Sequence, residues 1–186
     1  MKTMLATLAL VGAILAIGPA TALAKTEVMV GGELMYPSKD IIDNAVHSAD
    51  HTTLVAAVKA AGLVETLKGK GPFTVFAPTN DAFENLPSGT VESLLKPENK
   101  PMLAKVLTYH VVSGKLSTVD LRKMIKAGGG QAMLKTVSGG ALWIMLNGES
   151  NVVIKDEAGN VAHISTYDVN QSNGVIHVID RVALPK

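Results

Sequence analysis

At Gly128-Gly129-Gly130 the spacing of the apolar residues changes, and no other feature constrains the fold as much. From Ser38 to Lys126 they mostly recur three and four apart, as on a helix; beyond the glycines they alternate, as on a strand. Helices gathered in one stretch and strands in the other predict an α+β domain with mostly antiparallel pairing, not alternating βαβ units. In the helical stretch Ser38 is placed to cap a helix carrying Ile41, Ile42, Ala45 and Val46, with Asp40 in its first turn. Thr52 or Thr53 opens a second, with Leu54, Val55 and Val58 on one face, and Gly62 ends it. Residues 63–67 form a short third. Phe73-Thr74-Val75-Phe76 reads as a buried strand stopped by Pro78, and Thr79 or Asn80 caps a helical turn through Phe83. Helices over residues 99–108 and 119–126 follow, the former turning Met102, Leu103, Val106 and Leu107 inward.

In the strand half, Leu142 to Leu146 runs into Asn147-Gly148, a hairpin signal because both residues tolerate positive φ. Residues 151–155 pair back, residues 161–166 return, and Asn173-Gly174 introduces a last strand over residues 175–182. Met102, Met124, Met133 and Met145 read as core filler, and Trp143 as packed between layers.

The first 24 residues are a different unit. Lys2 gives a positive start, residues 4–17 are uncharged and apolar, and Ala22-Leu23-Ala24 has the small-x-small form of a signal-peptidase site. A helix over that apolar run reaches about 21 Å, short of a ~30 Å hydrocarbon core. Gly18-Pro19 then interrupts it. The segment 1–24 therefore reads as a signal peptide and residues 25–39 as a lead-in, with an edge strand over residues 28–30. The mature chain is expected outside the cytoplasm, periplasmic or extracellular, and free of the membrane. With 17 basic against 16 acidic residues there is no electrostatic case for nucleic acid or an anionic bilayer. The absence of cysteine excludes disulfides, thiolate metal sites and a cysteine nucleophile.

Three segments stand in register: Thr74-Val75-Phe76-Ala77-Pro78-Thr79-Asn80-Asp81-Ala82-Phe83, Leu107-Thr108-Tyr109-His110-Val111-Val112, and Asn173-Gly174-Val175-Ile176-His177-Val178-Ile179-Asp180. Together they resemble the fasciclin domain, in one copy over residues 40–186 and in the bacterial exported, single-domain form. Ser113 departs from a common proline and Ala183 from a larger aliphatic, which implies a turn into Gly114 less pre-set and a last strand less fully packed. The resemblance implies a wedge: an antiparallel β-sandwich-like core with helices packed along one side. It implies a monomeric, non-catalytic module without metal or cofactor, mediating adhesion or binding to a protein or polysaccharide at a cell surface, matrix or host. Carried over by position, Tyr109 and His110 become interaction residues, with nearby loops and open strand edges as the contact region. Thr74, Phe76, Pro78, Thr79, Asn80, Asp81, Phe83, Asn173, Gly174, His177 and Asp180 are the remaining motif positions, with structural roles.

The residues themselves leave other readings open. Tyr109 can fill the core with its hydroxyl at the edge, while His110 bonds nearby backbone. Asp81 reads as a first-turn acid of a helix or as a general base among phenylalanines. His47 and His51, four apart, would share a face with Asp43 on one continuous helix as in some zinc sites, but Ser48-Ala49-Asp50 looks like a helix stop. No nucleophile elbow, phosphate loop or His-Glu-x-x-His pattern occurs. The alternative function is an extracytoplasmic carrier of a small apolar ligand, held between the helix layer and the sheet. A hydrolase with paired carboxylates stands third.

Overall fold

Most helices form where the spacing placed them, and their caps explain their limits. The computed structural model describes residues 27–186, so the signal-peptide reading of residues 1–24 lies outside them. α1 (Ile41–Ala45) starts at Asp40, whose carboxylate accepts from the Asp43 N–H at 2.8 Å; Asp40, not Ser38, is the cap. α2 (Thr52–Ala61) stops at Gly62, whose φ of 73° lies in the left-handed region a glycine adopts without penalty. α3 (Val64–Lys68) follows at once, and α4 (Asn80–Glu84) is capped by Thr79. α5 (Thr90–Leu94) has no large apolar stripe and went unseen in the sequence. α6 (Lys100–Tyr109) buries Leu103, Val106 and Leu107 but leaves Met102 exposed. α7 (Thr118–Ala127) opens with a reciprocal capping box between Ser117 and Asp120.

A small hairpin, β1 (Val28–Val30) with β2 (Glu33–Met35), precedes the helices. The main sheet has seven strands: β3 (Phe73–Pro78), β4 (Val111–Ser113), β5 (Gln131–Lys135), β6 (Ala141–Asn147), β7 (Asn151–Lys155), β8 (Val161–Gln171) and β9 (Gly174–Ile179). Pro78 ends β3 from within. β5 was missed in the sequence because only Leu134 of its residues is buried, so its alternation is faint. The spatial order is β4-β3-β9-β8-β7-β6-β5, antiparallel throughout except for β3 beside β9, which run parallel in the middle. The sheet rolls until its first and last strands meet at one bridge, Val112 to Thr136. The edges expected to lie open therefore face each other at that seam.

Both faces of the parallel pair are buried. Val75, Ala77, Ile176 and Val178 pack beneath α1, α2, α3 and α6. Phe76 and Ile179 look the other way, into a second cluster with the interior of β5 to β8 and with Leu121 and Ile125 of α7. Buried on both sides, β3 and β9 show the near-continuous apolar runs of parallel strands instead of alternation. Trp143 and Met133 stand on the outer face of the sheet, Met133 at 60% exposure, so Trp143 is not packed between layers and Met133 is not core filler.

Candidate functional site

The signature residues act as fasteners between elements. Thr74, fully buried, donates its hydroxyl to the Gly114 carbonyl at 2.7 Å and accepts the Leu116 N–H at 2.9 Å, fixing the turn after β4 despite Ser113. Thr79 caps α4 through the Ala82 N–H. Asn80 reaches away from its own helix: its side-chain oxygen accepts from Thr53 N–H at 3.0 Å and its amide donates to Ala49 O at 2.8 Å. The first turn of α2, which has no side-chain cap of its own, is thus capped from α4. Asn80→Ala is expected to cost about 1 kcal/mol or more. That should lower the melting temperature by about 2–4 °C, whereas Asp81→Ala should leave it nearly unchanged. Asp81 lies exposed in the first turn of α4, and among the described residues no second acid is placed beside it by hydrogen bond or ion pair.

The third signature fastens the sheet to the helices. Asn173 accepts from Ile41 N–H at 3.1 Å and donates to Leu67 O at 2.7 Å and Gly69 O at 2.9 Å. Gly174 is obligatory by proximity: a Cβ there would sit 2.2 Å from the Phe73 carbonyl oxygen of the parallel neighbour. His177, fully buried, stacks on Phe76 with ring centroids 5.7 Å apart. Its Nε2 bonds Leu116 O at 2.9 Å, and its Nδ1 accepts from Asp168 N–H at 3.3 Å. Burial holds its pKa below the ordinary value, with the Leu116 carbonyl and Asp168 opposing. Asp180 accepts from His163 N–H at the surface, while Pro78 at the end of β3 and Phe83 within α4 are buried.

Tyr109 and His110 lie at the junction where α6 hands over to β4, and both are inside, at 0% and 3% exposure. The Tyr109 hydroxyl donates to Ala141 O at 2.6 Å and accepts from Glu157 N–H at 3.0 Å. Burial pushes its pKa up to about 12. Gly140 lets the ring pass, since a Cβ there would meet the ring at 2.7 Å. His110 bonds Val106 O through Nδ1 at 2.8 Å and accepts Ala183 N–H on Nε2 at 2.9 Å. Ala183 follows β9 in an irregular segment and is itself buried, so its small side chain leaves no exposed strand end. Burial drives the His110 pKa down to about 4, against the pull of the Val106 carbonyl and Asp156.

Several residues of this junction had no sequence signal. Asp156, buried, accepts from Asn160 N–H and Leu184 N–H; Glu157 accepts from Ala141 and Lys186, which lowers its pKa. Only a turn over Ala158-Gly159-Asn160 was legible, from its turn residues. His47 and His51 are not brought together: α1 ends before them, His47 is exposed, and His51 is buried at the start of α2. Among the described residues no three His, Asp or Glu side chains are grouped to hold a metal ion.

The exposed large apolar side chains include a set on the first hairpin and its support. Met29 and Leu34 face each other across β1 and β2 and point outward, at 65% and 40% exposure. Tyr36, with Lys39 over its ring at 5.1 Å, and Val46 at the end of α1 are exposed as well.

The family model for the fasciclin domain matches residues 49–185. Two Synechocystis proteins are similar along most of the chain. One, sll1483, is 49% identical over 146 residues, covering 78% of this chain and 73% of the relative. The other, sll1735, is 40% identical over 145 residues, covering 78% of this chain and 97% of the relative. Among solved structures, a domain pair from the insect cell adhesion molecule fasciclin I superposes with a TM-score of 0.69 at 21% identity. That match covers 78% of this chain, which spans about half the length of the insect one (51%). At that identity the likeness is one of fold.

Proposed function

The chain belongs to the fasciclin-domain family, whose members are often adhesion-related, and from that premise we propose that it is an exported, non-catalytic module that binds a protein or polysaccharide at a cell surface, matrix or host. The observation carrying this reading is how the polar signature residues are used. Thr74, Asn80, Asn173, His177, Tyr109 and His110 make internal bonds, while Met29, Leu34 and Tyr36 stand in solvent. Export rests on the leader pattern of residues 1–24, and no helix among the described residues is long and apolar enough to cross a membrane.

Under this reading the contact face is the β1–β2 hairpin with Tyr36 and Val46, an apolar patch with a cation over its aromatic ring. A few such anchors carry most of the energy of an interface. Tyr109 and His110 serve it indirectly: Tyr109 ties the end of α6 to β6 and the turn after β7, and His110 ties it to the segment after β9. Retention of the purified protein on immobilised envelope or matrix preparations tests the assignment. Met29→Ser/Leu34→Ser is expected to weaken retention at least tenfold at unchanged melting temperature. Tyr109→Phe should lower the melting temperature and keep retention per folded molecule. Folded wild type that is never retained, or that turns over a substrate, would remove the basis for this function.

A further inference from the structure

A cleft of about 470 Å³ opens on the outer side of the sheet, a size within the roughly 300–1,000 Å³ of small-molecule sites. Its one large apolar surface is Trp143, half-buried on β6 between Met133 of β5 and Lys155 of β7. The turn after β7 supplies a second wall, and its two acids are spent in shaping it. Asp156 accepts the backbone N–H groups of Asn160 and Leu184, and Glu157 those of Ala141 and Lys186. The other polar groups of the cleft are free. Among the described residues, the indole N–H of Trp143, the Gln131 amide and the Lys155 ammonium have no hydrogen-bond or ion-pair partner, and no second ring or cation lies on the indole. All three reach solvent: Gln131 and Lys155 are exposed, and the indole nitrogen keeps accessible surface. Lys155 and Lys186 balance Asp156 and Glu157, so the cleft has no net charge with which to select an ion.

We propose that this cleft binds a neutral polysaccharide built from pyranose rings with equatorial hydroxyls, one ring lying flat on Trp143. Equatorial hydroxyls radiate in the plane of the ring and leave a face of C–H groups, which packs on an indole; an axial hydroxyl would be pressed unpaired against it. Each hydroxyl both donates and accepts, which suits a rim that offers an ammonium, an amide and a carboxylate together. An apolar side chain of a protein partner would cover the indole equally well but leave that rim without partners. The cleft shares no residue with the β1–β2 face, so it stands or falls independently of the contact placed there.

The probes are cellohexaose, whose hydroxyls are all equatorial, and mannohexaose of the same linkage, whose rings each carry one axial hydroxyl. Trp143 is the one tryptophan of the chain, so its fluorescence and its indole N–H resonance report on the cleft alone. Millimolar cellohexaose is expected to shift the emission to the blue and to move that resonance, and mannohexaose should bind about threefold more weakly or worse. In native gels containing hydroxyethylcellulose, Trp143→Ala should lose the retardation that wild type shows. Gln131→Ala/Lys155→Ala should weaken cellohexaose binding about fivefold at unchanged melting temperature. Met29→Ser/Leu34→Ser, which alters the other face, should bind cellohexaose as wild type does. The proposal is overturned if neither signal of Trp143 moves, if mannohexaose binds as tightly as cellohexaose, or if Trp143→Ala is retarded as strongly as wild type. Should Trp143→Ala fail to fold, the wild-type resonance and the Gln131→Ala/Lys155→Ala variant decide, and undiminished binding by that variant overturns the proposal.

Discussion

Between pH 6.5 and pH 4 the protein is expected to lose about 3 kcal/mol of stability through His110 alone. The ring is held neutral by geometry as well as by burial: Nε2 receives the Ala183 N–H, so a proton there would set two donors against each other. Its folded pKa of about 4 lies below the ordinary 6.5 of an unfolded chain. Below 6.5 the unfolded state therefore takes up a proton that the folded state refuses. The contribution is whole above pH 6.5, shrinks as the pH falls, and is gone below about 4. His51 and His177, also lowered by burial, add in the same direction. Urea unfolding at a series of pH values measures the slope, and His110→Gln, which cannot titrate, should flatten part of it. An NMR titration placing the His110 midpoint at 6 or above would contradict this account.

Asn173→Ala is expected to cost about 3 kcal/mol, since it strands one N–H and two carbonyls on elements far apart in sequence. Against a typical total of 5–15 kcal/mol that is a large fraction. For a domain of this size it lowers the melting temperature by about 6–12 °C. Asn173→Asp should be at least as harmful, because it keeps the acceptor for Ile41 but aims a carboxylate at the Leu67 and Gly69 carbonyls. Thermal unfolding of the two variants decides the matter. If Asp were tolerated better than Ala, the two donor bonds would not matter as described.

The helical half was legible because its signals are local. Thr79 before α4 and Gly62 after α2 act within a turn of where they stand, and the spacing of Leu103, Val106 and Leu107 shows one face. Asn80 was legible only as the alternative to Thr79 for that cap, a role the structure gives to Thr79. The Asn80 bonds to Thr53 and Ala49 span 27 and 31 residues, and no period or cap rule reports such a reach. The parallel meeting of β3 and β9 had a faint signal, their unbroken apolar runs, but a short run does not say which strand lies beside it. Met102 and Met133 mark the opposite failure. Large apolar side chains were assigned to the core by type, whereas α6 and β5 turn them to solvent. The Tyr109-His110 pair was conspicuous in sequence, yet its partners Ala141, Glu157 and Ala183 follow 32, 48 and 73 residues later.

The placement of β9 also dictates when the molecule can close. It is last among the strands in sequence but sits between β3 and β8, and the segment after it supplies the proton donor to His110. A polypeptide delivered amino end first therefore cannot zip its centre until these late residues emerge.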